Sequence, residues 1–395
     1  MPEAPDIVIA GGGPVGLTLA RALAQAGVAV RVVRAPGTAA DRPIALSHAS
    51  RLLLERLGAW RGLNATPIKS IHVSQRGGFG HTVMHHDDYG LPALGYVAAY
   101  SDLVPALADA LAPEPLSGAV NGWEHQGDRI AVSVSSESGM HILSARLLVV
   151  AEGALPADNA QSAPAARGPA SSDARPVSPV MRRDYGQSAV VATVKTEAAP
   201  DGRAWERFTA HGPLALLPFG DRYALVWSAR PDEAASLAAL PTAAFLARLA
   251  DAFGRRLGAF LDAGARSVFP LELSVREPAP GARVLAVGNA AQTLHPVAGQ
   301  GLNLGLRDAW ELAELARAET PASLGTAQFV TRYLRRRRLD RRGSINATDL
   351  FARVFASNDP VARCARGFGL LALDILPPAR AFLARRMMFG ARALP

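Results

Sequence analysis

Cysteine is nearly missing from this chain: Cys364 stands alone. A single thiol excludes an internal disulfide framework and any multi-cysteine metal site, and it fits a reducing compartment. Lysine is almost as scarce. Of the 42 basic residues only Lys69 and Lys195 are lysines, so arginine carries the formal charge of +8. Aromatics make up 6% of the residues, and nowhere do they alternate with basic ones; nucleic acid is therefore not expected as a partner. No apolar run reaches the roughly 20 residues that span a bilayer. No basic segment precedes a long apolar run at the N-terminus, so no signal peptide is read and a cytoplasmic protein is expected. His81, His85 and His86 lie near Asp87 and Asp88, but no helical i, i+4 pair with a third ligand accompanies them. No metal is expected. Ser–His–Asp sets and paired carboxylates are missing too, so difficult chemistry would have to come from a bound cofactor.

What is present begins at the N-terminus. Asp6-Ile7-Val8-Ile9-Ala10 reads as a buried strand, Leu17 to Ala26 has helical spacing, and Ala29 to Val33 is a second strand. Between the first strand and the helix lies Gly11-Gly12-Gly13-Pro14-Val15-Gly16. This is a dinucleotide fingerprint in its proper strand–turn–helix context. Gly11 makes the tight turn, Gly13 lets a pyrophosphate approach the backbone, and Gly16 lets helix and strand pack. An acid for the adenosine ribose is expected about 20 residues on. The chain has Arg34 there, which cannot accept hydroxyl hydrogens. It would instead contact a phosphate or stack on adenine.

A second strand–loop–helix unit spans Val284 to Ala309, VLAVGNAAQTLHPVAGQGLNLGLRDA. Val284 to Val287 reads as a strand, and Leu302 to Ala318 has helical spacing. Gly299-Gln300-Gly301 stands where that helix begins, and unpaired N–H groups at such a start attract negative charge. The stretch GNAAQTLHPVAGQGLNLG resembles the second flavin-binding motif of the FAD-dependent aromatic hydroxylases, the class A flavoprotein monooxygenases. It is most similar to their ubiquinone-biosynthesis branch, which acts on polyprenylated phenols. Glu206-Arg207-Phe208-Thr209 and Gly212 to Pro218 resemble that branch as well.

The resemblance covers almost the whole chain and implies a fold. It is α/β, a Rossmann-like FAD-binding domain with an inserted antiparallel-sheet substrate domain and a C-terminal helical segment. Residues 1–67, 96–182 and 276–328 would bind FAD, 68–95 and 183–275 would form the substrate sheet, and 329–395 the helical region. It also implies a cycle in which NAD(P)H reduces FAD, O2 adds to the reduced ring, and a flavin hydroperoxide hydroxylates a polyprenylated phenol or other apolar aromatic. Pro296, Gly299 and Gln300 would serve catalysis. Cofactor contacts would come from Gly11, Gly13, Pro14, Gly16, Arg34, Arg42, Glu152, Gly288, Asn289, Pro296, Gly299, Gln300, Gly301, Leu302 and Asn303. Asn289 would hold the ribityl chain and Asn303 the flavin edge. His295 is a candidate base on residue type alone, with a structural imidazole the stronger reading.

Departures from the family pattern stand at Arg34, Tyr96, Ser101 and Glu152. They keep two alternatives open: a hydroxylase of another small aromatic, or a scaffold that has lost turnover. Arg335 to Arg338 reads as a solvated face, with contact to an anionic membrane or a biosynthetic assembly as the alternative. The mixed apolar and basic tail, Gly367 to Gly390, reads as a helical cap, an interfacial helix or a partner surface. Any membrane contact would be peripheral, at the inner membrane.

Overall fold

The structure is a computed structural model that describes residues 4–37, 41–109, 111–152, 180–209, 212–276, 283–296, 299–356 and 360–391. Ile7–Ala10 forms a strand with every residue buried, which requires cover on both faces. It lies at the centre of a parallel sheet ordered Val284–Ala286, Leu147–Val150, Ile7–Ala10, Val30–Arg34, Leu116–Ser117. Ile7 and Ile9 pack with Leu17, Leu19 and Leu306 of helices Pro14–Gln25 and Gln300–Arg317. Val8 and Ala10 face the other way, onto Val132 and Val134 of the antiparallel strands Ala119–Gln126, Arg129–Ser136 and Gly139–Ala145. Because the strands are parallel, the turns after Ala10 and after Val287 leave the sheet at the same end. In open parallel sheets that end forms the ligand crevice.

A larger sheet stands over this crevice. Its strands run Gln292–Thr293, Ser267–Arg276, Val180–Thr196, Arg222–Ala229, Gly212–Phe219, Arg203–Thr209, Ser70–Gln75 and His81–His85. The sequence suggests an antiparallel block, and Arg203–Thr209 departs from it by pairing in parallel with Ser70–Gln75. Local pattern could not reveal that pairing between segments so distant in the chain. Helices Pro231–Ala239 and Thr242–Phe253 bury the outer face against Trp205, Leu216 and Leu225. Apolar spacing from Ala243 to Phe260 predicts one helix, but it ends earlier. Gly254, with φ of 94°, stops it, and Phe260–Ala263 is a strand.

The helix read as Phe329 to Arg342 extends over Ala327–Ala356. Its arginine run is not one solvated face. Arg337 is 4% exposed, and its Nε donates to Asp308 at 2.7 Å and its Nη2 to Asp340 at 3.0 Å. Arg336 pairs with Glu311, and Arg335 and Arg338 are exposed. Asp340 also accepts from Arg307 at 2.8 Å. Burial alone would raise the Asp340 pKa, but the two guanidinium groups hold it at about 2. The tail then forms helices Pro360–Ile375 and Pro377–Phe389, bent sharply at their junction by 99°. The Ala/Pro/Ser-rich stretch 161–179 lies outside the described residues.

Candidate functional site

The two glycine turns are packed against each other. Gly288, with φ of 59°, has room for a Cβ only 3.1 Å from the Val15 side chain. A Cβ on Gly305 would stand 2.8 Å from Val15 Cγ2 and 3.0 Å from Gly288 Cα. Val15 thus seats the first motif's helix against the second motif, and neither Gly288 nor Gly305 tolerates a side chain there. Within the first motif, Gly11 takes φ of 122°, and a Cβ on Gly16 would fall 1.9 Å from Gly11 O.

Both helix starts are open. Gly13 caps Pro14–Gln25 and Gly299 caps Gln300–Arg317, and neither supplies a side-chain cap. The first-turn N–H groups remain for a ligand. A Cβ on Gly301 would meet nothing within 4 Å, and one on Gly13 would meet only the Tyr100 hydroxyl at 3.5 Å. The backbone at both starts is therefore unobstructed at these two glycines. Gly299 sits in the left-handed region, φ 60°, with Ala45 Cβ 3.0 Å from its own absent Cβ.

The other sequence candidates gather around these turns. Half-buried Arg34 lays its aliphatic stem over Gly12, within 2.7 Å of where a Cβ would be. Arg42 is exposed, 5.1 Å from the Tyr100 ring, and its carbonyl accepts from Tyr100 N at 3.0 Å. Tyr100 was not singled out from sequence; it joins Arg42 to the Gly13 turn. Glu152 follows the strand beside Gly11, and burial pushes its carboxyl up. Asn289 is exposed on the turn after Gly288, whose N–H donates to Asp308 at 3.3 Å. Leu302 packs half-buried against the main core. Tyr96 is buried edge-on to Trp60, which gives that family departure a packing role.

Asn303, expected at the flavin edge, is engaged within the chain. Its Oδ1 accepts from Ser47 N at 2.8 Å and Ser50 Oγ at 2.7 Å. Its Nδ2 donates to Ala45 O at 3.1 Å and Gly299 O at 2.7 Å. All four positions of the amide are filled, so it staples the helix start to strand Pro43–Ser47.

Pro296, Gly299, Gln300 and Asn303 line one wall of a cavity of about 380 Å³. The opposite wall is the sheet face carrying Val73, Ala204, Glu206, Phe208, Ala215 and Leu217. The end wall comes from the tail, with Leu370, Leu373, Leu383, Met387 and Met388. Gln300 Nε2 ties helix start to tail by donating to Met387 O at 3.3 Å. His295 is wholly buried, edge-on to Tyr185 with ring centroids 5.2 Å apart, and burial brings its pKa down to about 4. That is the behaviour of a structural imidazole. Glu206 was not singled out for chemistry. Its signal was a lone acid in the alternating set Ala204, Glu206, Phe208, and that set is informative only once its face is known to line a cavity.

Comparison with known proteins gives the same picture. Residues 4–329 match the FAD binding domain family. The ubiquinone hydroxylase UbiL of Rhodospirillum rubrum is 32% identical, over 97% of this chain and 89% of its own length. The 3-demethoxyubiquinol 3-hydroxylase of Escherichia coli is 31% identical, over 93% and 94%. In fold, the chain superposes on the crystal structure of the p-nitrophenol 4-monooxygenase PnpA from Pseudomonas putida with a TM-score of 0.75. That match has 18% identity and covers 99% of this chain and all of the other.

Proposed function

The chain belongs to the FAD binding domain family as a FAD-dependent monooxygenase, and from that premise we propose that it hydroxylates the ring of a polyprenylated phenol in ubiquinone biosynthesis. The observation that carries this reading is the cavity: about 380 Å³, walled largely by apolar side chains, and lined on one side by an uncapped helix start. A prenylated ring fits such a lining, because each buried CH₂ contributes about 0.8 kcal/mol.

Bound FAD, reduced by NAD(P)H, supplies the electrons that activate O2. The chain's residues do the rest. In this reading the turn at Gly13, with Arg34 and Arg42, holds the diphosphate and adenosine. The first-turn amides after Gly299 stabilise negative charge on the reduced ring. Pro296 crowds the reacting face, and the sheet with the tail helices keeps water out. Asn289 reaches the ribityl chain, and Asn303 holds Gly299 in place. Residues 1–67, 96–182 and 276–328 bind the dinucleotide, 68–95 and 183–275 roof the substrate, and 329–395 close the cavity.

The tail also supports a membrane-surface role. Among the described residues no single helix is long and apolar enough to cross a bilayer. The tail helices turn Leu370, Ala384 and Met388 inward while leaving Phe368, Ile375, Leu376 and Phe382 between 53% and 75% exposed. Exposed Arg363 and Arg385 lie on the same pair. This arrangement fits the surface of an anionic bilayer, where a prenylated substrate would be dissolved.

The test is turnover. The purified chain, reconstituted with FAD, should oxidise NAD(P)H faster when a prenylphenol is added and should release a product one oxygen heavier. Stimulation by soluble aromatics alone would overturn the substrate assignment.

A further inference from the structure

We infer that Glu206 is the proton acceptor of the reaction, its carboxylate taking the hydroxyl proton of the phenol held in the cavity. The inference rests on the phenolic substrate proposed above. Strand Arg203–Thr209 alternates faces: Ala204, Glu206 and Phe208 line the cavity, which also touches Trp205, while the Trp205 ring packs on Phe253 of the covering helix and Arg203 and Arg207 alternate to that same side. Glu206 stands opposite Val73 on one neighbouring strand and Ala215 on the other, both of them cavity-lining and apolar. Among the described residues no hydrogen bond or ion pair reaches its carboxyl group. An unpaired carboxyl in such surroundings is costly. Its presence in a wall otherwise suited to an apolar ligand marks it for chemistry.

The charged groups around it leave it alone in that role. Arg203, Arg207, His72 and Arg256 lie on the far face, where Arg256 meets His72 at 3.0 Å. Of the cavity's other titratable groups, His295 is held neutral by burial, and Arg380 lies 4.0 Å from Asp88. Burial raises the Glu206 pKa to about 7. Phenols ionise near 10, so a carboxyl at about 7 accepts the proton with a roughly 300-fold smaller penalty than an ordinary glutamate. In the step, the phenol O–H breaks and its proton moves to a Glu206 oxygen; the bonding pair enters the ring, whose carbon takes one oxygen atom of O2 as the O–O bond, already reduced by two electrons from NAD(P)H, breaks. When the attacked carbon later loses its hydrogen as a proton, that proton and one from solvent go to the second oxygen atom, which leaves as water, and the former phenol oxygen recovers the proton from Glu206. The oxidant is O2, with NAD(P)H as reductant, as in the proposed activity.

The test compares wild type, Glu206→Gln and Glu206→Asp as full chains loaded with FAD. The probes are 2-prenylphenol and a fluorinated analogue already ionised at the assay pH. Glu206→Gln should lower hydroxylation of 2-prenylphenol by about 10²- to 10⁴-fold, and the deficit should shrink to under about tenfold with the ionised analogue. Glu206→Asp should recover part of the rate. The wild-type rate should fall as pH drops through about 7, and that inflection should vanish in Glu206→Gln. Infrared difference spectra of the two should show a protonated carboxyl that disappears over the same range, a readout independent of turnover. Equal deficits with both phenols, or Glu206→Gln within about threefold of wild type, would overturn the inference and leave the substrate reading standing. A wild-type protein that hydroxylates no phenol would overturn both.

Discussion

Asn303 joins Ala45, Ser47, Ser50 and Gly299 through one buried amide. Removing it leaves several buried polar groups without partners, so Asn303→Ala should destabilise the protein by about 2 kcal/mol. The same variant should weaken FAD by loosening Gly299; a thermal melt and a flavin titration measure the two effects. Titration of the sheet's buried groups and of His295 has opposing signs. Burial lowers His295 to about 4, and burial with Arg256 lowers His72 to about 4. Their unfolded values lie near 6.5, so the unfolded chain binds more protons between these limits, and stability is lost as pH falls from 6.5 to 4. Glu206 is raised from 4.5 to about 7. The folded chain then binds the extra proton, and stability is lost as pH rises through that range. Near pH 5 to 6 the Glu206 term offsets only one of the two histidine terms, so stability still falls on acidification there. Glu206→Gln should therefore be more stable than wild type above pH 7, by on the order of 2 kcal/mol, and should lose stability more steeply on acidification. Denaturant melts at several pH values check both signs. The glycines of the turns were legible in sequence because a backbone requirement admits little else. Glu206 and the saturation of Asn303 were not, since both depend on which residues surround a side chain.

At the scale of elements, the tail is the part the sequence left undecided. Its composition fits a cap, an interfacial helix or a partner surface, and the structure shows one face lining the cavity and the other bare. A larger side chain on the inner face should shorten the space for a prenyl tail. Leu373→Trp should raise KM at least several-fold for a long-chain prenylphenol, leaving FAD affinity and a one-isoprene substrate within about twofold. Equal effects on both substrates would place the tail away from the prenyl group. On the outer face, Phe368→Asp with Phe382→Asp should abolish co-sedimentation with anionic vesicles while leaving FAD content unchanged. Strands and helices with clear periodicity were legible to within a few residues, as with Ile7–Ala10 and Gln300–Arg317. The parallel partner of Arg203–Thr209 and the inward turn of Arg337 were not, because each is decided by a distant segment.

The whole molecule follows from one property of parallel sheets. Strands Ile7–Ala10 and Val284–Ala286 lie far apart in sequence but point the same way, so both glycine turns emerge at one end, where Val15 locks them together. The sequence shows each turn, and the resemblance shows the pair; only the sheet order shows why the pair shares a site. If one FAD spans both, damage at either turn must be felt by the same ligand. The direct measurement is equilibrium FAD binding, by absorbance and stoichiometry, to wild type, Gly13→Val and Gly299→Ala. Gly299→Ala carries about 1–2 kcal/mol of left-handed backbone strain and should weaken FAD about tenfold or more. The account predicts one FAD per wild-type chain, weakened by either substitution. A wild-type protein that takes up no FAD, or one whose FAD responds to only one of the two turns, would contradict it.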